Sequence, residues 1–400
     1  MRRVIGRLLG DRRVVGGFLL VLQLVVVMYC LGWMSGRWSL VPQLLTVLSV
    51  IIVIWLVRKY DNPTYKITWI IVILLLPLFG GLFYLLWGNT PFNRARTQHK
   101  YEPSPPDFSD YMRMPVTEQF VNHYPRHACC ARYIDALDGM PVWTNTEAHY
   151  FRLGEEMFAS MCEELARAHK FIFLEYFIIE EGVMWDTILD ILKRKAQQGL
   201  DVRVLYDDVG SITTLPPSYD RYLATLGIRA VRFNRFVPTL NTYLNYRNHR
   251  KMMIIDGNVG YMGGINLADE YINEKVRFGH WKDMGIMLRG EGTVNMTVLF
   301  LQMWEYVTGE SVPPLDDYLP TTKLPPDGFV QPFADSPLDD LNIGESLYLQ
   351  IIHNARRYVY ITTPYLVLDN EMSTALTIAG QSGVDVPTLT PGIPDKKLVY

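Results

Sequence analysis

His249 and Lys251 stand two residues apart at the head of an apolar run, in "NHRKMMIID", residues 248–256. In an extended strand, residues i and i+2 share a face, so the imidazole and the ammonium point the same way. Asp256, seven residues after the histidine, has the opposite parity and opens "DGN", a two-residue hairpin signal. It is therefore expected at a turn joining "MMII" to "VGYM" as antiparallel neighbours, not beside the imidazole. After the hairpin comes "GGIN", in which Gly263 and Gly264 permit close backbone approach and Asn266 offers an amide. A neutral histidine as nucleophile, with a cation and a carboxamide to hold the charge that builds on phosphate oxygens, suits a phosphoryl centre. By spacing alone, a solvated strand end fits the same residues.

Other polar positions rank lower. Glu175 and Tyr176 lie in "KFIFLEYFII" beside the presumed cleft, where they would orient His249 or contact a head group, and core packing accounts for them equally well. Asp207 and Asp208 end the next strand, where α/β sites collect polar side chains. Trp281 and Asp283 read as a continuation of the paired strands, a role in the fold more than in chemistry. His123, His127 and His149 are scattered without metal-ligand spacing, so neither a metal nor another cofactor is expected. There is no P-loop, nucleophile elbow or zinc-protease motif. Cys30, Cys129, Cys130 and Cys162 form no framework and read as free thiols.

The elements that must carry these residues alternate. "GEEMFASMCEELARAH" has helical spacing, "KFIFLEYFII" is a strand-like run, "VMWDTILDILKRKAQQ" is helical, and Gly199 stops it before "LDVRVLYDD". A short helix around Ser218 to Leu226 leads into "IRAVRF". Strands alternating with helices predict an α/β fold with parallel strands under helices. The unit recurs: Phe171 matches Tyr358 at an offset of 187, and Gly199 matches Gly383 at an offset of 184. His249 follows Gly199 by 50 residues, so its equivalent in the second copy would fall at about position 433, beyond Tyr400.

Charge divides the chain. Residues 1–100 hold 12 Lys or Arg against Asp11 and Asp61, a balance of +10, whereas the remainder carries 26 basic and 39 acidic residues, or -13. The acidic part would repel a polyanion, which argues against nucleic acid as a partner. Three uncharged runs, Val14 to Met34, Ser39 to Val57 and Ile67 to Trp87, have spanning length, so the first hundred residues predict two or three transmembrane helices and a multi-pass protein of the cell membrane. Three spans would place the large C-terminal part across the membrane from the N-terminus; two would return it to the same side. The expected organisation is a membrane anchor at 1–92, a linker at 93–130, a first lobe at 131–311, a proline-rich join at 312–336 and an incomplete second lobe at 337–400.

"HRKMMIID" fits H-x-K-x4-D, and "GGIN" follows at the spacing of the phospholipase D superfamily. With "WIIVILLLPLFGGLFYLLWG", "FLEYFII", "LYDDVGS" and "PGIPDKKLVY", the chain resembles that superfamily's bacterial cardiolipin synthases from about Ile67 onward. The resemblance implies two phospholipase D-like lobes, in which two copies of the motif meet at one site. One histidine takes the phosphatidyl group and the other serves as general acid and base. His249, Lys251, Asp256 and Asn266 carry over directly, with Gly263 and Gly264 beside them; the second histidine, lysine and asparagine have no counterpart, since neither His280 nor His353 begins H-x-K. Pro387 departs from the expected second-lobe strand. The implied reaction makes cardiolipin and glycerol from two phosphatidylglycerol molecules at the membrane, and the implied partners are anionic phospholipids. The rival expectation is a shortened, non-catalytic chain that binds anionic phospholipid or a partner, and homodimerisation motif to motif would restore a paired site.

Overall fold

The structure, a computed structural model, describes residues 40–59, 62–76, 80–88, 116–236, 246–311, 314–336 and 341–393. The chain forms two compact units, residues 1–102 with 236–245, and residues 103–235 with 246–400.

In the second unit the apolar runs become one seven-stranded sheet. Its strands are β1 (Thr146–Phe151), β2 (Phe171–Tyr176), β3 (Asp201–Asp207), β4 (Arg229–Phe233), β5 (Met252–Ile255), β6 (Val259–Gly263) and β7 (Gly285–Gly290), in the order β1-β7-β6-β5-β2-β3-β4. β2, β3 and β4 run parallel because helices Val183–Gln197 and Tyr219–Thr225 supply the crossovers. β5 then enters antiparallel to β2, and hairpin-like pairings carry the sheet through β6 and β7 to β1. The sheet is thus mixed, parallel on one side of β2 and antiparallel on the other.

Strand periodicity sorts the core. Ile172, Leu174 and Tyr176 of β2 face one cluster with Val204, Met253 and Ile255, covered by Met157, Met161 and Leu165 at helical spacing on Gly154–Arg167. Phe171 and Phe173 face the other, with Leu205, Ile254 and the Thr293–Thr308 helix, whose Phe300 stacks on Phe173 at 4.6 Å. The β5–β6 hairpin turns at Asp256 and Gly257, both left-handed with φ 54° and 67°, and Asn258 N–H donates to Ile255 O at 3.0 Å. A side chain at Gly257 would also strike the Tyr318 carbonyl, so "DGN" meets both the turn and its packing.

Residues 341–393 build a smaller strand–helix–strand piece. β8 (Ile361–Thr362) and β9 (Thr388–Leu389) pair in parallel around helix Asn370–Gln381, with Ile352, Ala375 and Ala379 at its centre. Its register echoes the large sheet. Phe171 pairs with Asp201 between β2 and β3, and Tyr358 bridges Asp385, at the same offsets of 187 and 184. Pro387 is accommodated because its carbonyl accepts from Ile361 N–H at 3.1 Å, an arrangement that asks nothing of its missing N–H.

The first unit corrects the expected N-terminal transmembrane helices. Among the described residues, no helix is long and apolar enough to cross a membrane, which also overturns the multi-pass placement in the cell membrane. The third run is broken. Its helix, Pro63–Leu75, has 13 residues, about 20 Å at 1.5 Å per residue against a hydrocarbon layer of about 30 Å. Leu76 leaves the helical conformation with φ −125° and ψ 60°. Gly80 then lies so close to Ile73 that an added Cβ would sit 2.6 Å from the Ile73 Cα. Tyr84 is buried with Ile52, Leu56 and Ile73, its ring 5.4 Å from Trp69. The second run lies in helix Leu40–Arg58, of 19 residues, about 28 Å at 1.5 Å per residue. The run from Val14 to Met34 lies outside the described residues, as does residues 93–115 of the expected linker.

Candidate active site

The HxK pair lies immediately ahead of β5. Lys251 Nζ sits 3.2 Å from His249 Nδ1 and donates to His249 O at 2.6 Å. Phe177, just past β2, backs both residues: its ring lies 4.6 Å from the imidazole and 5.4 Å from Nζ. His249 is exposed, whereas Lys251 is only 8 % exposed. Burial pulls the Lys251 ammonium down to about 8, against the raising fields of Asp283 and Asp207. A partly desolvated cation beside a solvent-facing imidazole is equipped to meet an anion, since it gives up little further hydration when the anion arrives.

A buried polar layer supports the pair. Asp207, at the end of β3, accepts from Val209 and Gly210 N–H at 2.9 Å each, from Asn248 N–H at 3.0 Å and from Arg247 Nη1 at 3.2 Å. Glu175 accepts from Asn248 Nδ2 at 2.5 Å, and its carboxyl is pushed up by burial while Arg250 and Asn248 pull it down. Asp208 turns elsewhere, to Arg232 at 3.2 Å. Tyr176 shares the opposite sheet face with the first core cluster, and burial raises its phenol.

Asp283 is the site residue that sequence reasoning assigned to the fold. Its carboxylate acts on Lys251, accepts from Met284 N–H at 2.8 Å and from Trp281 Nε1 at 3.4 Å, and is raised by burial. Gly264 makes room for it: an added Cβ there would sit 2.3 Å from Asp283 Oδ1. Gly263 similarly abuts the Met284 carbonyl. The glycines of "GGIN" thus serve the approach of residues 283–285. The one available signal for Asp283 was an acid two residues before β7, the strand paired with β6.

Asp256 is placed apart from the imidazole, and Asn266 is committed to partners within the protein. Asp256 follows β5, roughly 17 Å from Lys251 at about 3.3 Å per residue, and its carboxylate accepts from His169, Lys170 and Phe171 N–H at 2.8, 2.7 and 3.0 Å. Asn266 is buried, accepting from Ile178 N–H at 3.0 Å and donating to Tyr271 Oη at 2.6 Å. It thereby fixes the chain after β2, next to Phe177. Asp256→Ala strips the acceptor from three N–H groups and is expected to cost on the order of 3–5 kcal/mol of stability. Urea denaturation measures it; a loss below about 1 kcal/mol would deny Asp256 this role.

Comparison with known proteins agrees with this architecture. Residues 47–89 match the family described as Phospholipase_D-nuclease N-terminal, and residues 161–280 match "Cardiolipin synthase, PLD-like domain". An uncharacterized protein of Streptococcus mutans is 42% identical over 354 residues, covering 87% of this chain and 76% of its own. A cardiolipin synthase of Halalkalibacterium halodurans is 34% identical over 374 residues, covering 92% and 73%, and cardiolipin synthase 2 of Bacillus cereus is 36% identical over 344 residues, covering 85% and 66%. The chain belongs to the phospholipase D superfamily. Within it, its close relations are the bacterial cardiolipin synthases.

Proposed function

We propose that the chain is a phosphatidyltransferase that makes cardiolipin and glycerol from two molecules of phosphatidylglycerol through a phosphatidyl-His249 intermediate. The observation that carries this reading is the exposed imidazole held 3.2 Å from a buried ammonium. In the first half, His249 Nε2 attacks phosphorus, the phosphorus–oxygen bond to glycerol breaks, and the departing oxygen takes up a proton. In the second, the glycerol hydroxyl of another phosphatidylglycerol attacks phosphorus, releases a proton and breaks the phosphorus–nitrogen bond. Protons balance over the two halves, as do the exchanged phosphodiesters.

Attack requires the lone pair on Nε2, so the ring proton must reside on Nδ1. Lys251 controls this. As an ammonium facing Nδ1 it donates, which drives the ring proton to Nε2; drawn to an arriving phosphate diester, it frees Nδ1 to hold the proton and spends its charge on the phosphoryl oxygens. Names of relatives such as cardiolipin synthase support phospholipid as the substrate class, and anionic head groups match the cation at the site.

The reading is tested with labelled phosphatidylglycerol in mixed micelles. Labelled cardiolipin and free glycerol in equal amounts are expected; lipid that binds without either product would leave a binding protein in place of an enzyme. The pH dependence follows from Lys251. In the lipid-free protein its cation is lost as pH rises through about 8, so kcat/KM should show a limb falling above that pH. A profile flat to pH 10 would show that the cation is dispensable.

A further inference from the structure

His249 is flanked on both sides by residues anchored to buried acids. On one side Asn248 N–H is held by Asp207 Oδ2 at 3.0 Å, while the Asn248 side chain donates to Glu175 Oε1 at 2.5 Å and its Oδ1 accepts from Arg250 N–H at 3.1 Å. On the other side the Arg250 guanidinium lies 3.7 Å from Glu175 Oε1 and reaches the carbonyls of Leu299 at 3.5 Å and Asp335 at 3.3 Å. Glu175 itself is 0 % exposed, and among the described residues its Oε2 has no hydrogen-bond donor. Sealing a carboxyl into an apolar strand costs several kcal/mol unless its partners return it. The neighbours of Glu175 in β2 are apolar, and an apolar residue would fill the same space at no such cost. Being fully buried, Glu175 cannot touch a lipid head group; what it can do is fix Asn248.

We infer that Glu175 and Asn248 are positioning residues: their hydrogen bond holds the backbone of residues 248–250 so that His249 is presented at a fixed distance from Lys251. This inference rests on the proposed nucleophilic role of His249. A loop ahead of a strand has the freedom to drift by an ångström, and a drift of that size at a nucleophile costs about 100-fold in rate.

The test reverses the hydrogen bond. Asn248→Asp sets two carboxylates against each other, and kcat for glycerol release should fall about 100-fold with KM unchanged, recovering in part as acidification lets the pair share a proton. Glu175→Gln alone keeps an acceptor for Asn248 but removes the counter-charge of Arg250, and should cost several-fold. Combining Asn248→Asp with Glu175→Gln restores a donor, an acceptor and the net charge, so kcat should return to within about 5-fold of the parent. A double variant as slow as Asn248→Asp, or an Asn248→Asp variant as fast as the parent, overturns the inference. Should Asn248→Asp not fold, Asn248→Ala serves as the second arm: a roughly 10-fold fall in kcat at constant KM and a near-parental thermal midpoint support positioning, and an unchanged kcat overturns it. The carbethoxylation rate of His249 with diethyl pyrocarbonate, read by mass spectrometry, gives an independent measure. It should change several-fold in Asn248→Asp and revert in the double variant. A parent that releases no glycerol would defeat the transferase reading, while the modification rates would still decide positioning; rates identical in all variants overturn it.

Discussion

His249→Ala is expected to lower glycerol release from phosphatidylglycerol by about 10⁴-fold or more, the scale on which loss of a covalent nucleophile acts. The reason is specific to its placement. The imidazole is exposed and lies next to a buried cation, so its removal takes away the attacking atom without opening a cavity. Stability should therefore stay within about 1 kcal/mol of the parent, since the losses are the ring's packing on Phe177 and its contact with Lys251. Lipid binding should also persist, because Lys251 and its surroundings remain. Steady-state glycerol release, with urea denaturation alongside, checks both halves. Residual turnover within 10-fold of the parent would move the nucleophile elsewhere.

Lys251→Met separates chemistry from stability. Loss of the cation that faces the developing phosphate charge should reduce turnover by roughly 10²–10³-fold. Stability should move the other way. Burial lowers the folded-state value of Lys251 from 10.5 to about 8, so between those values the unfolded chain binds more protons and the parent gains stability as pH rises. At pH 7 the parent bears the full cost of the buried ammonium. The methionine variant removes that cost but loses the hydrogen bond to His249 O, and a net gain on the order of 2 kcal/mol is expected at pH 7. The gain should shrink as pH rises through about 8 to 10.5 and vanish above about pH 11.5, where the amine is neutral in both states. Urea denaturation at the two pH values decides it; destabilisation at both would mean that Asp283 and Asp207 hold Lys251 as a net favourable ion pair.

The readable parts of this molecule were local. The sequence paired His249 with Lys251 as strand neighbours, and the structure sets them 3.2 Å apart in the segment just ahead of β5, outside the strand itself; "DGN" marked the turn whose left-handed residues are Asp256 and Gly257. The alternation of helices and strands gave β2, β3 and β4 their parallel order. The repeat offsets reappear in the registers of two parallel strand pairs. Contacts between distant segments were not readable. Nothing near Asn248 announces Glu175, which is 73 residues away, and Asp283 reaches the field of Lys251 only because β7 lies beside β6 and Gly264 has no side chain. Glu175 and Tyr176 are adjacent in sequence yet face opposite sides of β2, one toward Asn248 and the other into the core. Hydropathy erred at the N-terminal unit because it counts apolar residues without testing continuity. Ile67 to Trp87 is uncharged throughout, but the helix stops at Leu75, and Gly80 comes back against Ile73.

The most direct measurement is the mass of the histidine-bearing peptide after brief incubation with phosphatidylglycerol and an alkaline quench, which preserves a phosphorus–nitrogen bond. The account predicts a phosphatidyl adduct on His249 that appears with glycerol release and decays as cardiolipin forms. Release of glycerol with no adduct there, or with the lipid attached to another residue, would contradict it.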